Sequence, residues 1–375
     1  MLDKNALGLA SWKLWFRFSY FLLFFVAAAA SFNGFYDKYK LLEAGTTNPE
    51  MQQTFEAMVD GTAPRPFVYR QLLPMTANWI NAELVSIFPT QIEEWSNHVG
   101  KKLPTGGRWI DSPIVLHPNY LLRYCIVYAL VFLSAWASVF LAYMLLRRIG
   151  FHPAASVLAA VSMILLMPYL LTGGGYFYDY PELCFMLLSA WMAASIDWWW
   201  LMPVAALATW NKESFFFFLL TLYPLIRNRA SRWHALSAIG VLNLVSGIVY
   251  LLLQFRFAHN SGGNLEVHIL DQARALIYPG AYLFSLEKTY GILIVRGLYF
   301  VLLAFLVPTF YMGWKTLPRT FQQHAKLAAA INIPLYLLFC EPGELRNLSM
   351  LYVTLAVLMA ACWSQWMRLQ ADTGQ

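Results

Sequence analysis

The chain predicts an all-α fold, a polytopic transmembrane helical bundle of about ten spans with an interfacial helix in its first extracytoplasmic loop. Three observations carry that prediction. Of 375 residues, 59% are hydrophobic and only 12% charged, against roughly 25% charged in an ordinary soluble domain. Apolar runs recur that are long enough to cross about 30 Å of hydrocarbon. Seventeen of the twenty carboxylates fall in segments that hydropathy assigns to one side of a membrane, while the short basic loops gather on the other.

The runs lie near Trp15–Phe35, Tyr120–Met144, Ala154–Leu171, Glu182–Ile196, Ala235–Gln254, Ile292–Trp314, Leu327–Cys340 and Leu348–Met367. The stretch Trp199–Ile226 differs, because Asn211-Lys212-Glu213 interrupts it; it reads as two short embedded helices meeting at those residues. Two long loops, 36–118 and 255–290, connect spans on the acidic side. In the first, an amphipathic pattern from Tyr69 to Phe88 carries Leu72, Leu73, Trp79, Ile80, Leu84 and Ile87 on its apolar positions, as an interfacial helix requires. The second, with His259, Glu266, His268, Asp271 and Arg274, reads as a lid or structural cap, and two histidines are too few to claim a metal.

Orientation follows from Lys4, Lys13, Arg17, Arg147, Arg148, Arg227, Arg229, Arg232, Lys315, Arg319, Lys326 and Arg368, which place both termini in the cytoplasm. No small-residue cleavage site follows the first apolar run, so it reads as a retained span. Residues 1–375 form a single integrated membrane domain, with no linker or internal repeat. Cys125, Cys184, Cys340 and Cys362 sit in or at the ends of spans without ligand or disulfide spacing. The pI near 9.0 reflects basic loops suited to anionic lipid headgroups; no basic surface for nucleic acid is visible.

Five constellations carry chemistry. Arg70, in Arg65-Pro-Phe-Val-Tyr-Arg-Gln-Leu-Leu-Pro74, either grips a phosphate at the headgroup layer or pairs with a structural carboxylate. Asp37, in Phe-Tyr-Asp-Lys-Tyr, is either a partly desolvated proton acceptor or a solvated loop residue beside Lys38 and Lys40. Asp179, following three glycines, is placed at the N-cap of the next helix, yet with Glu182 and the tyrosines around Tyr178 it also has the make-up of a polar ligand site. Lys212 and Glu213 diverge by about 100° on a helix, so each needs its own partner in place of the other. Glu344 and Arg346 share a Pro-Gly turn and can pair with each other or with other external charges.

As an ordered set these motifs resemble a known family. A Tyr-Asp pair after the first span, Arg-Pro-x-x-Tyr-Arg-x-Leu, Asp-x-Pro-x-x-x-Phe opening a later span, a Lys 33 residues beyond that Asp, and Glu-x-Arg before the last span are similar to the GT-C superfamily of polytopic glycosyltransferases. The resemblance runs from about residue 15 to residue 365. It implies transfer of a sugar from a polyprenyl-phosphate-linked donor to a glycan, lipid or protein acceptor at the extracytoplasmic face of the plasma (inner) membrane. It places Asp37 and Asp179 in catalysis, and Arg70, Tyr69, Lys212, Glu213, Glu344, Arg346, Tyr178 and Glu182 around the donor phosphate and substrate. No metal ligand is assigned, although Asp179 and Glu182 leave room for a divalent cation. Two departures stand out: Asp37 is followed by Lys38 where many members carry a second acid, and the large carboxy-terminal soluble domain of some members is missing.

Two other classes compete. A transporter or flippase would use Lys212–Glu213 to mark a path through broken helices. A polysaccharide polymerase or ligase of another membrane fold would depend on loop arginines, here Arg256 and Arg274.

Overall fold

A computed structural model describes residues 19–32, 55–102, 118–171, 175–263, 267–283, 287–289, 292–294 and 297–373. Helices dominate. The first is α1 (Ser19–Ser31). The first long loop contributes α2 (Phe55–Asp60), α3 (Leu72–Ile87) and α4 (Pro89–Lys102). Then come α5 (Pro118–Ile149), α6 (Pro153–Leu170), α7 (Asp179–Ser195), α8 (Leu201–Asn211), α9 (Phe215–Thr221), α10 (Tyr223–Arg227) and α11 (Arg232–Arg256). The second long loop holds α12 (Ile269–Ile277) and a small antiparallel hairpin, β1 (Glu287–Thr289) with β2 (Ile292–Ile294). The chain closes with α13 (Phe300–Trp314), α14 (Arg319–Phe339) and α15 (Tyr352–Thr373).

Among the described residues, four helical segments are long and apolar enough to cross a membrane: Tyr120–Ile149, Pro153–Leu170, Arg232–Arg256 and Leu345–Gln370. Their surroundings sort them into layers. Val353, Ala356, Val357, Ala360 and Ala361 of α15 are buried, as are Leu183, Met186, Leu187 and Ala190 of α7, so these two helices form the centre with α5 and α6 packed on them. The outer helices instead show large apolar side chains to the surroundings, among them Leu244, Leu252 and Phe255 of α11 and Val307 and Tyr311 of α13. Large apolar side chains exposed along whole helices in this way are stable when lipid or another apolar phase covers them.

The ends of α7 set the polarity of the bundle. Asp179 and Glu182 stand in its first turn, where the helix dipole favours anions. At the other end Arg148 donates to the Ala194 carbonyl at 3.2 Å and Arg229 donates to the Ile196 carbonyl, so cations meet the carbonyl end. Over 17 residues the two ends are about 25 Å apart.

Three sequence expectations are corrected here. The apolar run at Ile292 does not start a helix: Ile292–Ile294 pair as a strand and α13 begins at Phe300, after the left-handed Gly297 (φ 98°), which closely approaches Gly343. The helix foreseen from Tyr69 begins at Leu72, because Phe67–Tyr69 form a separate 3-10 turn. Asp179 is not an N-cap; Tyr178 holds that position and Asp179 is the first helical residue. The second long loop does dock on the first, as Asn260 donates to the Gly61 and Ala63 carbonyls and Arg65 pairs with Gly262.

Candidate functional site

At the amino end of α7, side chains from four distant segments converge. The turn into the helix is built around Gly175, whose φ of 79° suits glycine and whose missing Cβ would stand 3.0 Å from Asp179 Oδ2. That space lets the Tyr176 backbone N–H donate to Oδ2 at 2.7 Å, fixing the carboxylate. One turn on, Glu182 is enclosed. It accepts from Ser214 at 2.8 Å and Ser349 at 2.9 Å through Oε1, and from Lys212 Nζ at 2.6 Å through Oε2.

Lys212 reaches this position because the helix stops there. It is the C-cap of α8 with extended backbone (φ −158°, ψ 126°), and Asn211 before it donates to the Tyr178 carbonyl at 2.9 Å. Lys212 therefore sits at the carbonyl end of one helix, and Glu213 just ahead of the amino end of α9. Each charge meets the dipole it complements. The two side chains part company: Lys212 faces Glu182 and Asp179 on α7, whereas Glu213 takes a bidentate pair from Arg70, Nε–Oε2 3.2 Å and Nη2–Oε1 2.7 Å. Of the two roles open to Arg70, this structure has the carboxylate pair; the residue is 8% exposed.

Arg346 arrives from a 3-10 turn, Leu345–Leu351, between α14 and α15. Asn332 of α14 pins the turn by donating to the Asn347 carbonyl at 2.7 Å and accepting from the Met350 N–H at 3.1 Å. Arg346 lies 3.4 Å from Glu344, which also accepts from Asn347 at 3.0 Å. Its guanidinium stands 4.1 Å from the Tyr176 ring centre, Tyr176 stacks on Tyr178 at 5.2 Å, and Arg70 stands 4.4 Å from the Tyr178 ring while donating to its hydroxyl. Two arginines thus bracket a pair of stacked tyrosines, a cation–π arrangement strengthened by burial. Burial pushes the Tyr176 phenol up to about 12, against the pull of Arg346.

Charge and hydrogen bonding do not close evenly. Three cations, Arg70, Lys212 and Arg346, face four carboxylates, Asp179, Glu182, Glu213 and Glu344. Asp179 Oδ1 is buried and makes no hydrogen bond; Lys212 Nζ stands 3.7 Å away and Arg346 Nη1 3.6 Å, both beyond hydrogen-bond length. Nε and Nη1 of Arg346 are likewise buried without a hydrogen bond. Asp179 and Arg346 thus hold unspent hydrogen-bonding capacity at one place, 3.6 Å apart.

Of the residues singled out in the sequence, Arg70, Tyr178, Asp179, Glu182, Lys212, Glu213, Glu344 and Arg346 come together. Tyr69 does not join them; its ring packs on Tyr250 of α11 at 6.2 Å. Asp37 lies outside the described residues. The loop arginines lie elsewhere: Arg274 pairs with Asp271 on an exposed face of α12, and Arg256 lines a hollow of about 310 Å³ with Asp60, Gln71 and Asn78. Ser214, Ser349 and Asn332 were missed by sequence reasoning, whereas Tyr176 was among the tyrosines it grouped with Asp179 and Glu182. Only the Arg346, Ser349 spacing, three residues on a 3-10 turn, could have signalled a shared face. Among the described residues no group of three or more His, Cys, Asp or Glu gathers to hold a metal, and all four cysteines are free. No family model, curated protein or solved structure matches the chain.

Proposed function

We propose that the chain is a polytopic membrane glycosyltransferase of the GT-C type, moving a sugar from a polyprenyl-phosphate donor to an acceptor hydroxyl. The observation that carries this is the convergence of Arg70, Asp179, Lys212 and Arg346, from segments up to 276 positions apart in the numbering, in one buried cluster flanked by aromatic rings. Charges this costly to bury are kept for a reason. Arginine forks and a lysine are the groups that hold a phosphate.

In this reading ten segments, α1, α5, α6, α7, α8, α9 with α10, α11, α13, α14 and α15, enter the bilayer, with both termini on the basic, cytoplasmic side. The pair α8 and α9–α10 is re-entrant, since α8, at 11 residues, rises only about 16 Å. The charged cluster then lies in the outer half of the bilayer, on the extracytoplasmic side. There a lipid-linked donor presents its phosphate.

In the reaction the acceptor oxygen attacks the anomeric carbon, the bond from that carbon to the phosphate oxygen breaks, and polyprenyl phosphate leaves with the bonding pair. The acceptor proton passes to a carboxylate, Asp37 or Asp179. Arg70, Lys212 and Arg346 stabilise the charge building on the leaving phosphate. Because each cation already faces a carboxylate, the phosphate enters by exchange: Glu213 or Glu344 gives up its arginine as the donor binds. Asp37→Asn, Asp179→Asn and Lys212→Ala should each abolish turnover of a lipid-linked sugar while folded protein remains in the membrane. Wild-type rates in all three would remove the assignment.

One observation favours a second reading, a transporter or flippase. The broken helix at Lys212 is the kind of interruption that builds an intramembrane substrate site. Accumulation of substrate in sealed vesicles with no glycosylated product would select it.

A further inference from the structure

At the end of the bundle opposite the charged cluster, Arg148, Ile149, Ala194, Leu225, Asn228, Arg229, Pro318, Thr320 and Phe321 line a cavity of about 270 Å³. We infer that this cavity is a binding site for the phosphate headgroup of an anionic phospholipid. Its make-up is layered. Leu225 and Phe321 are buried and form an apolar floor, while Arg148, Asn228 and Arg229 are exposed at the rim and Thr320 adds a hydroxyl.

Each rim arginine spends one hydrogen bond on the carbonyl end of α7, Arg148 through Nε to Ala194 and Arg229 through Nη1 to Ile196. Those bonds anchor the two forks at the cavity lining, and each fork keeps further N–H groups to donate. Two guanidiniums, an amide and a hydroxyl on the lining of one cavity form a donor set for a phosphate. The charge balance agrees: segments 143–153, 194–211, 223–234 and 314–326 carry Arg147, Arg148, Arg227, Arg229, Arg232, Lys315, Arg319 and Lys326 against one acid, Asp197.

The level of the site argues for a lipid over a soluble anion. Trp199, Trp200 and Trp233 stand exposed at this same end of the bundle, more than half of each side chain outward, as aromatic residues do at a headgroup layer. A lipid whose phosphate sits between Arg148 and Arg229 can lay its glycerol and first methylenes on Leu225 and Phe321. Inorganic phosphate gains nothing from that floor.

The test is lipid retention by the full-length protein in detergent, followed by native mass spectrometry with phosphatidylglycerol or phosphatidylcholine added. Wild type is expected to retain phosphatidylglycerol preferentially. Arg148→Gln with Arg229→Gln should lower that retention by roughly thirtyfold, at about one headgroup interaction per arginine. Because those arginines also cap α7, Thr320→Asp supplies a second variant: an acid in the first turn of α14 suits that helix yet repels a phosphate, and it should lower retention as well. Arg227→Gln with Arg232→Gln, whose residues do not line the cavity, should leave the preference unchanged. Equal losses in this control, undiminished retention in Thr320→Asp, or displacement of the lipid by inorganic phosphate at equal concentration would each overturn the site.

Discussion

Replacing Lys212 with Met tests whether the buried charges hold the centre of the bundle together. Met has a similar reach and no charge, so the change removes one ammonium with little change in volume. Glu182 then loses its 2.6 Å partner at Oε2 and keeps only the Ser214 and Ser349 hydroxyls at Oε1, while Asp179 Oδ1 is left with Arg346 at 3.6 Å. Leaving a buried carboxylate without its countercharge costs about 3–5 kcal/mol, against a total stability of roughly 5–15 kcal/mol for a domain. The loss is therefore at least about a fifth of what holds the fold. Glu182→Gln removes the other end of the same pair, and the double variant should be more stable than the sum of the two single losses predicts, by about 1–3 kcal/mol. Unfolding in detergent followed by tryptophan fluorescence, on wild type, both single variants and the double variant, measures this coupling. A Lys212→Met protein within about 0.5 kcal/mol of wild type, or single losses that simply add, would refute the claim that the pair is buried and coupled.

Arg70→Lys keeps the charge and loses the fork that meets both oxygens of Glu213, so it should recover less than half of the stability lost in Arg70→Ala, about 2–3 kcal/mol, measured by the same unfolding assay. Gly175→Ala places a methyl 3.0 Å from Asp179 Oδ2 at a φ of 79°; it should cost about 1–2 kcal/mol from the left-handed backbone alone, measured by the same unfolding assay, and a cost below about 0.5 kcal/mol would contradict it. Tyr176 supplies a pH signature. Its phenol is pushed up to about 12 by burial in the folded protein but titrates near 10 when unfolded. The unfolded state therefore sheds its proton first, and stability falls as pH rises from about 10 toward 12. Tyr176→Phe should flatten that part of the pH–stability curve, and an unchanged slope would contradict it.

Much of the fold was legible in the chain because crossing a membrane constrains composition directly. Runs of about 20 apolar residues, separated by loops of opposite charge, announce helices whatever their packing, and the observed α5, α6, α7, α11 and α15 overlap the foreseen runs closely. The break at Asn211-Lys212-Glu213 was legible for the same reason, since charge inside an apolar run must find a partner. The parting of Lys212 from Glu213 was foreseen from a helical offset, but it arises otherwise: Lys212 is extended at the end of α8 and Glu213 stands before α9 begins.

Less was legible where a short apolar stretch has two uses. Ile292–Ile294 is hydrophobic enough for a helix, yet the adjoining Glu287–Thr289 offers a strand edge and Gly297 allows the close turn beside Gly343, so helix α13 starts later. Asp179 carries the composition of an N-cap, but Gly175 brings the Tyr176 N–H to its carboxylate, and the helix starts one residue earlier than a capping Asp would set it.

By itself the chain determined which residues bear charge inside an apolar protein, because each such residue is costly wherever it lies and sequence alone reveals the mismatch. Only the tertiary structure decided who pairs with whom: that Arg70 meets Glu213, that Lys212 turns to Glu182, that Ser214 and Ser349 complete the same carboxylate, and that Asp179 and Arg346 face each other with hydrogen bonds unmade. Partners 30 to 167 positions apart meet through helix packing, and a pairwise attraction that falls off over a few ångströms leaves no trace in the linear order of the chain.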